Sequence, residues 1–366
     1  MILAIRADSP RASRGLTTAL VCAATMALTA APALAMTNPA VSAKGYKAPR
    51  DAWGHPDMAG VWSPATITRF ERDPKLGERL VLTEAEANAA EGVTAKGNAK
   101  ASLPTDQKLK VDEVDCGVAG FSGVACGYNN FWVDPGTKIM RVAGEPRTSI
   151  LVSPKAGRTI FQPAAIAAQR AQLTQVGNFD GPERRPLAER CLVAFGSSSG
   201  PPMLPVLYNN HYAIMSGKDL VAIEVEMVHD TRFLRVGGMH EPASVKKWMG
   251  DSLAHWDGET LVVESTNFRA DQTFRGASPD MKVTERFTRI SPLQILYQFR
   301  VDDPKTFVEP LEGEVAWNLS KDKIYEYACH EGNYALPGIL AGARAAEREG
   351  KEMEGARGAV KEEGEK

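Results

Sequence analysis

The chain has 366 residues, with 43 basic and 45 acidic side chains and a formal net charge of −2. That balance gives no reason to expect nucleic acid as a partner, and an apolar fraction of 43% is ample for a core. The length fits one large β domain or two ordinary ones. Residues 1–35 read as a secretory signal peptide. Arg6, Arg11 and Arg14 form a basic start, Leu16 to Ala31 is almost wholly apolar or small, and Ala33-Leu34-Ala35 is a small-x-small cleavage site. The Ala/Thr-rich run ending at that signature favours cleavage after Ala35 over a membrane anchor, and Val21 before Cys22 argues against a lipoprotein. Loss of three Arg and one Asp takes the charge from −2 to −4. The expected location is the periplasm or the exterior, with no membrane-spanning stretch after the leader.

Cleavage removes Cys22 and leaves Cys116, Cys126, Cys191 and Cys329. An even count in an oxidising compartment predicts two disulfides. Three pairings are open, of which Cys116–Cys126 and Cys191–Cys329 are favoured. No C-x-x-C pair supports a metal site.

Residues 36–56 read as a linker. Residues 57–202 form an N-terminal region of short strands, helices and loops packed on a barrel. Asp57 to Ser63 is a short apolar start, and Leu82 to Glu91 is a helix opened by a capping box, Thr83 with Glu86. Residues 92–112 read as an exposed loop. Ile139 to Val142 and Thr148 to Ser153 are predicted strands, Pro163 to Gln175 a helix, and 176–202 a loop. Residues 203–348 change character. Strands are predicted at Tyr212–Met215, Leu220–Met227, Arg232–Val236, Ser252–Trp256 and Thr260–Ser265, the last two joined across Asp257-Gly258. Val283–Ile290 with Ile295–Val301, and Glu314–Leu319 with Ile324–Ala328, make two more hairpins. Period-2 alternation, as in Ile295, Tyr297, Phe299 and Val301, predicts a mainly β fold. About eight such strands close into an antiparallel up-and-down barrel; a two-sheet sandwich is the alternative. A helix over Leu336–Arg348 and a charged tail over 349–366 end the chain.

Several segments together carry a resemblance. They include Gly54-His55-Pro56-Asp57 with Gly60-Val61-Trp62, Glu189-Arg190-Cys191-Leu192, Glu226-Met227-Val228-His229-Asp230, His255-Trp256-Asp257-Gly258-Glu259-Thr260 and Tyr327-Ala328-Cys329-His330-Glu331-Gly332-Asn333. With these the sequence resembles a large family of uncharacterised secreted bacterial proteins. The resemblance implies export and a lipocalin-like fold, and brings no established reaction. The chain departs from that pattern at Gly196-Ser197-Ser198-Ser199-Gly200, where a Gly-x-Pro turn is usual.

That same stretch matches the G-x-S-x-G nucleophile elbow. Pro201-Pro202 follows at once and forbids the helix that the elbow needs, so a loop is the better reading. None of the six histidines forms an H-x-H or H-x-x-x-H pair, and no metal or cofactor is implied. His229, His240 and His255, with Glu226 and Glu285, are the candidate acid–base residues. Glu285 shares strand parity with Val283 and Phe287, so it faces inward and must be paired or perturbed. Arg232, Arg286 or Arg289 from a neighbouring strand could pair with it, as a structural ion pair at the barrel rim. Trp248, Trp256, Arg232, Tyr297, His211 and Glu331 are the candidate ligand contacts. The leading expectation is an exported protein that binds a small, partly apolar ligand in a barrel cavity. The alternative is a cofactor-independent periplasmic hydrolase, lyase or isomerase that uses His and Glu in the same place.

Overall fold

In the computed structural model, residues 46–101, 135–173 and 179–350 are described. The predicted leader, Cys116, Cys126 and the tail beyond 350 lie outside those residues. After β1 (Gly60–Ser63) comes α1 (Glu84–Ala101), which opens on the predicted capping box. The Thr83 hydroxyl accepts from the Glu86 N–H at 3.2 Å, and the Glu86 carboxylate accepts from the Thr83 N–H at 2.8 Å. The helix runs on through residues 92–101, which the sequence reading gave to a loop. Ala, Lys and Glu are good helix formers, and the two interior glycines, Gly92 and Gly97, are not enough to break it. A small hairpin, β2 (Arg141–Val142) and β3 (Glu145–Pro146), precedes β4 (Leu151–Ser153) and α2 (Pro163–Leu173).

The remaining strands follow in close succession. They are β5 (Tyr212–Ser216), β6 (Leu220–Val225), β7 (Thr231–Val236), β8 (Asp251–Asp257), β9 (Thr260–Thr266), β10 (Lys282–Ser291), β11 (Gln294–Asp302) and β12 (Leu311–Leu319). With β1 they close a nine-stranded barrel, β1 pairing with both β5 and β12. β4 pairs with the start of β12. Helices α1, α2 and α3 (Ala335–Arg348) flank the barrel. The fold is thus mainly β, a closed barrel with flanking helices, as the alternation predicted.

Two details differ from the sequence reading. Ile324–Ala328 is not a strand, and the place beside β12 is taken by β1 instead. In addition, nine strands cannot alternate in direction around a closed ring, so one neighbouring pair must run parallel. That pair is β7 and β8, with Arg235 opposite Leu253 and Val236 opposite Ala254. Residues 237–250 carry the chain back to make this possible. Gly250 ends the crossover at φ +71°, and a Cβ there would lie 2.7 Å from the Thr266 carbonyl oxygen. Only glycine enters β8 in this way.

The inward face is packed with rings. Trp317 meets Tyr212 at 4.5 Å between centroids and Tyr297 at 5.2 Å, and Phe287 meets Tyr297 at 4.9 Å. Phe299 covers Gly313 so closely that any side chain on Gly313 would displace the ring. The loop after Gly196 adds to this core. Met203 is fully buried, its N–H donates to the Tyr297 hydroxyl at 2.8 Å, and the Tyr212 hydroxyl donates to the Ser198 carbonyl at 3.0 Å. Ser198 and Ser199 are buried with neither strand before nor helix after them, so the G-x-S-x-G stretch is no nucleophile elbow.

Candidate functional site

The structure separates the candidate residues into distinct environments. Glu285, Arg232 and Tyr297 meet inside the barrel. Both Arg232 terminal nitrogens donate to Glu285, at 2.7 and 2.6 Å, and the Tyr297 hydroxyl donates to the same carboxylate at 2.8 Å. Arg232 also reaches Ser252, which bonds Ser265 at 2.8 Å. β7 and β10 are separated by β8 and β9, so the pair spans the interior rather than joining neighbouring strands. It sits in the centre and not at the rim, with both side chains at most 1% exposed. Burial alone would lower the Arg232 pKa, and Glu285 more than reverses that. Burial, then the Glu285 charge, pushes the Tyr297 hydroxyl well above its ordinary value, so it remains a donor. This network is closed to any ligand.

His240 lies in a second cluster, around Asp251 at the start of β8. The carboxylate accepts from Arg235, from Lys247 at 2.8 Å and from the Glu241 N–H at 3.0 Å, and it lies 2.9 Å from His240 Nδ1. Burial alone would raise the Asp251 carboxyl, but Lys247, the Glu241 N–H and His240 together hold it well below the carboxylate range. Four of its partners come from β7 or the 237–250 crossover, so this anion pins the parallel junction. His255 is exposed on the outer face of β8, while Trp256 stacks on His55 at 5.0 Å. Trp248 lies under the Arg269 guanidinium, 3.9 Å from its ring centre, beside a separate pocket of about 410 Å³. The backbone of His229 closes a 3₁₀ turn after β6, and its side chain is outside the described set.

Glu226 and His211 come together elsewhere. They flank the paired ends of β6 and β5, where the Glu226 N–H donates to the His211 carbonyl at 3.0 Å. Tyr212 points inward, so His211 beside it at the strand start points outward. The Glu226 carboxylate is 3% exposed and lies 2.9 Å from His211 Nδ1. It also accepts from the His211 and Tyr325 N–H groups, both at 3.3 Å. An ionised carboxylate only accepts, so Nδ1 carries the proton of this bond and Nε2 is left toward Asp322, at 3.8 Å.

This dyad lines a cleft of about 1100 Å³ on the outer side of the barrel, where β1 meets β12 and β5. The opposite wall is the segment over residues 320–334 and the start of α3. The Cys191–Cys329 disulfide, paired as expected, ties that wall to the loop before β5. Asn333 Nδ2 adds a bond of 2.6 Å to the Glu189 carbonyl. Tyr208, Tyr325 and Tyr327 supply aromatic lining. Burial, then the Tyr327 hydroxyl beside it, pushes Tyr208 up to about 12. Glu331 and His330 line a neighbouring cleft of about 480 Å³, across the same segment.

The sequence reading chose Glu226 and His211 but not as partners, and it missed Tyr208, Tyr327, Asp322 and Asn333 as site residues. Ile324–Ala328 is expected to be a strand, whereas it is irregular and the Tyr325 side chain within it is largely exposed. The signal available was the density of polar and aromatic residues from Tyr325 to Asn333. Among the described residues, no group of three or more His, Cys, Asp or Glu side chains is placed to hold a metal ion, and no helix is long and apolar enough to cross a membrane. The chain matches no family model, no curated protein and no solved structure.

Proposed function

We propose that this is an exported protein that binds a small, partly apolar ligand, and that the ligand sits in the outer cleft rather than within the ring-filled barrel. One observation carries the reading. An imidazole held by a buried carboxylate and three tyrosines line one cleft of about 1100 Å³. A drug-sized ligand needs a concave space of this order, mainly apolar contact and a few fixed polar groups. The signal-like leader and the family resemblance support export.

Native mass spectrometry of protein purified from its own secretory compartment tests this. The expected spectrum shows a retained small molecule that the His211→Ala, Glu226→Gln double variant loses. Retention of the same molecule by the double variant would overturn the cleft assignment.

The dyad supports a second reading, acid–base catalysis without a cofactor. Glu226 orients the His211 ring through Nδ1, and Nε2 on the cleft side would act as the base. In that case the pH profile of turnover follows one imidazole titration, and Glu226→Gln lowers kcat far more than it raises KM.

A further inference from the structure

We propose that the ligand of the cleft is an organic cation, an amine or quaternary ammonium group on a small apolar body. This rests on the cleft being the binding site and adds the sign of what enters it. The lining contains the carboxylates of Glu189, Glu226, Asp322 and Glu326, and no lysine or arginine. Arg185 neutralises Glu189 through bonds of 2.9 and 3.0 Å, which leaves three negative groups around the space.

The acids alone would be ordinary surface charge. What gives them meaning is the cleft they share with Tyr208, Tyr325 and Tyr327. Tyrosine faces carry the negative side of the ring quadrupole and attract cations, quaternary ammonium groups in particular. An anionic ligand finds no guanidinium or ammonium in the lining, and a neutral one leaves the carboxylate field unused. The sign is also local. A pocket of about 400 Å³ elsewhere mixes Arg69, Arg72, Arg158 and Arg275 with Glu71 and Asp73, and the chain as a whole is nearly neutral. Lys321 and Lys323 flank Asp322 in sequence but do not line the cleft.

Three probes of one shape and different charge test the proposal on the ¹⁵N-labelled protein: choline, its uncharged isostere 3,3-dimethylbutan-1-ol, and 3,3-dimethylbutanoate. Choline is expected to shift the backbone amides of His211, Glu226, Tyr325 and Asn333 saturably, with a Kd at least tenfold below that of the alcohol. The butanoate binds weakest. In Asp322→Asn, Glu326→Gln, whose side chains are exposed, choline affinity falls at least threefold while that of the alcohol stays unchanged. If the alcohol or the butanoate shifts the same amides as tightly as choline, the cation class is overturned and the cleft remains the binding site. If none of the three moves these amides, both readings fall.

Discussion

Two buried carboxylates in this protein sit in nearly matching company and do different work. Glu285 is fully buried, grips Arg232 and accepts from Tyr297. Glu226 is 3% exposed, holds His211 and accepts from the Tyr325 backbone. The difference lies one residue further out. The Arg232 side chain is 1% exposed, whereas that of His211 is 22% exposed and borders a cleft. A buried acid therefore does not by itself mark a site. The accessibility of the group it holds does, because a cation with no path to solvent meets no ligand. The first network fixes the packing across the barrel, and the second presents an imidazole.

The largest effect is expected at the sealed network. Glu285→Ala strands a buried guanidinium, and breaking one side of such a pair costs about 3–5 kcal/mol. Urea denaturation reads this directly. Arg232→Met with Glu285→Leu should recover most of the loss, since apolar replacement of both partners is often neutral. A cost below about 1 kcal/mol for the single variant would break the comparison. So would loss of cleft binding in a folded double variant.

The disulfide comes next. Cys191 and Cys329 are 138 residues apart in sequence, so the bridge closes a long loop in the unfolded chain. Cys191→Ser, Cys329→Ser should lower stability by about 2–4 kcal/mol. Hydrogen exchange should quicken most over residues 324–333, which form the cleft wall, and least in β10 and β11. Equal quickening in both places would mean that wall and barrel are one cooperative unit.

At the open network the effect is smaller and local. Glu226→Gln removes a charge-assisted bond and should cost about 1–2 kcal/mol, with the Nδ1 proton signal of His211 shifted and β10 and β11 unperturbed. A stability loss as large as that of Glu285→Ala would place Glu226 in the core rather than at a site.

Much of the barrel was legible because strand parity is a local rule. Val283, Glu285 and Phe287 announce one face, and that face is the interior. Parity does not say which strands end up opposite each other across the ring, so Arg232 appeared as one of three possible partners for Glu285. Closure was also hidden. β1 has four residues, and its place between β5 and β12 is set by contacts far away in sequence. The cleft was the least legible feature. His211 and Glu226 are 15 residues apart and meet only because β5 and β6 pair in one register. Their opposite wall arrives about a hundred residues later, on a segment whose apolar residues suggested a strand.

A third carboxylate, neither sealed nor facing the cleft, makes the comparison sharper under acid. Glu91 of α1 accepts from Lys138 at 2.8 Å, from Arg141 at 2.7 Å and from the Ile139 N–H at 3.1 Å. Burial alone would raise its carboxyl, but those three bonds outweigh it and hold the pKa at about 2, below the ordinary 4.5. A carboxyl with a depressed folded pKa stabilises fully above its unfolded value, and that contribution is lost as pH falls through the folded one. The loss therefore falls between about pH 4.5 and pH 2. Glu91→Gln should lie about 1 kcal/mol below the wild type at neutral pH, with a flatter stability curve in that window. Because the cations that hold Glu91 belong to the β2 segment, the acid loss should loosen α1 from the barrel before cleft binding changes. Parallel curves for the two proteins would show that α1 is held by its other contacts, and that the distinction between structural and presenting carboxylates does not extend to the barrel's flank.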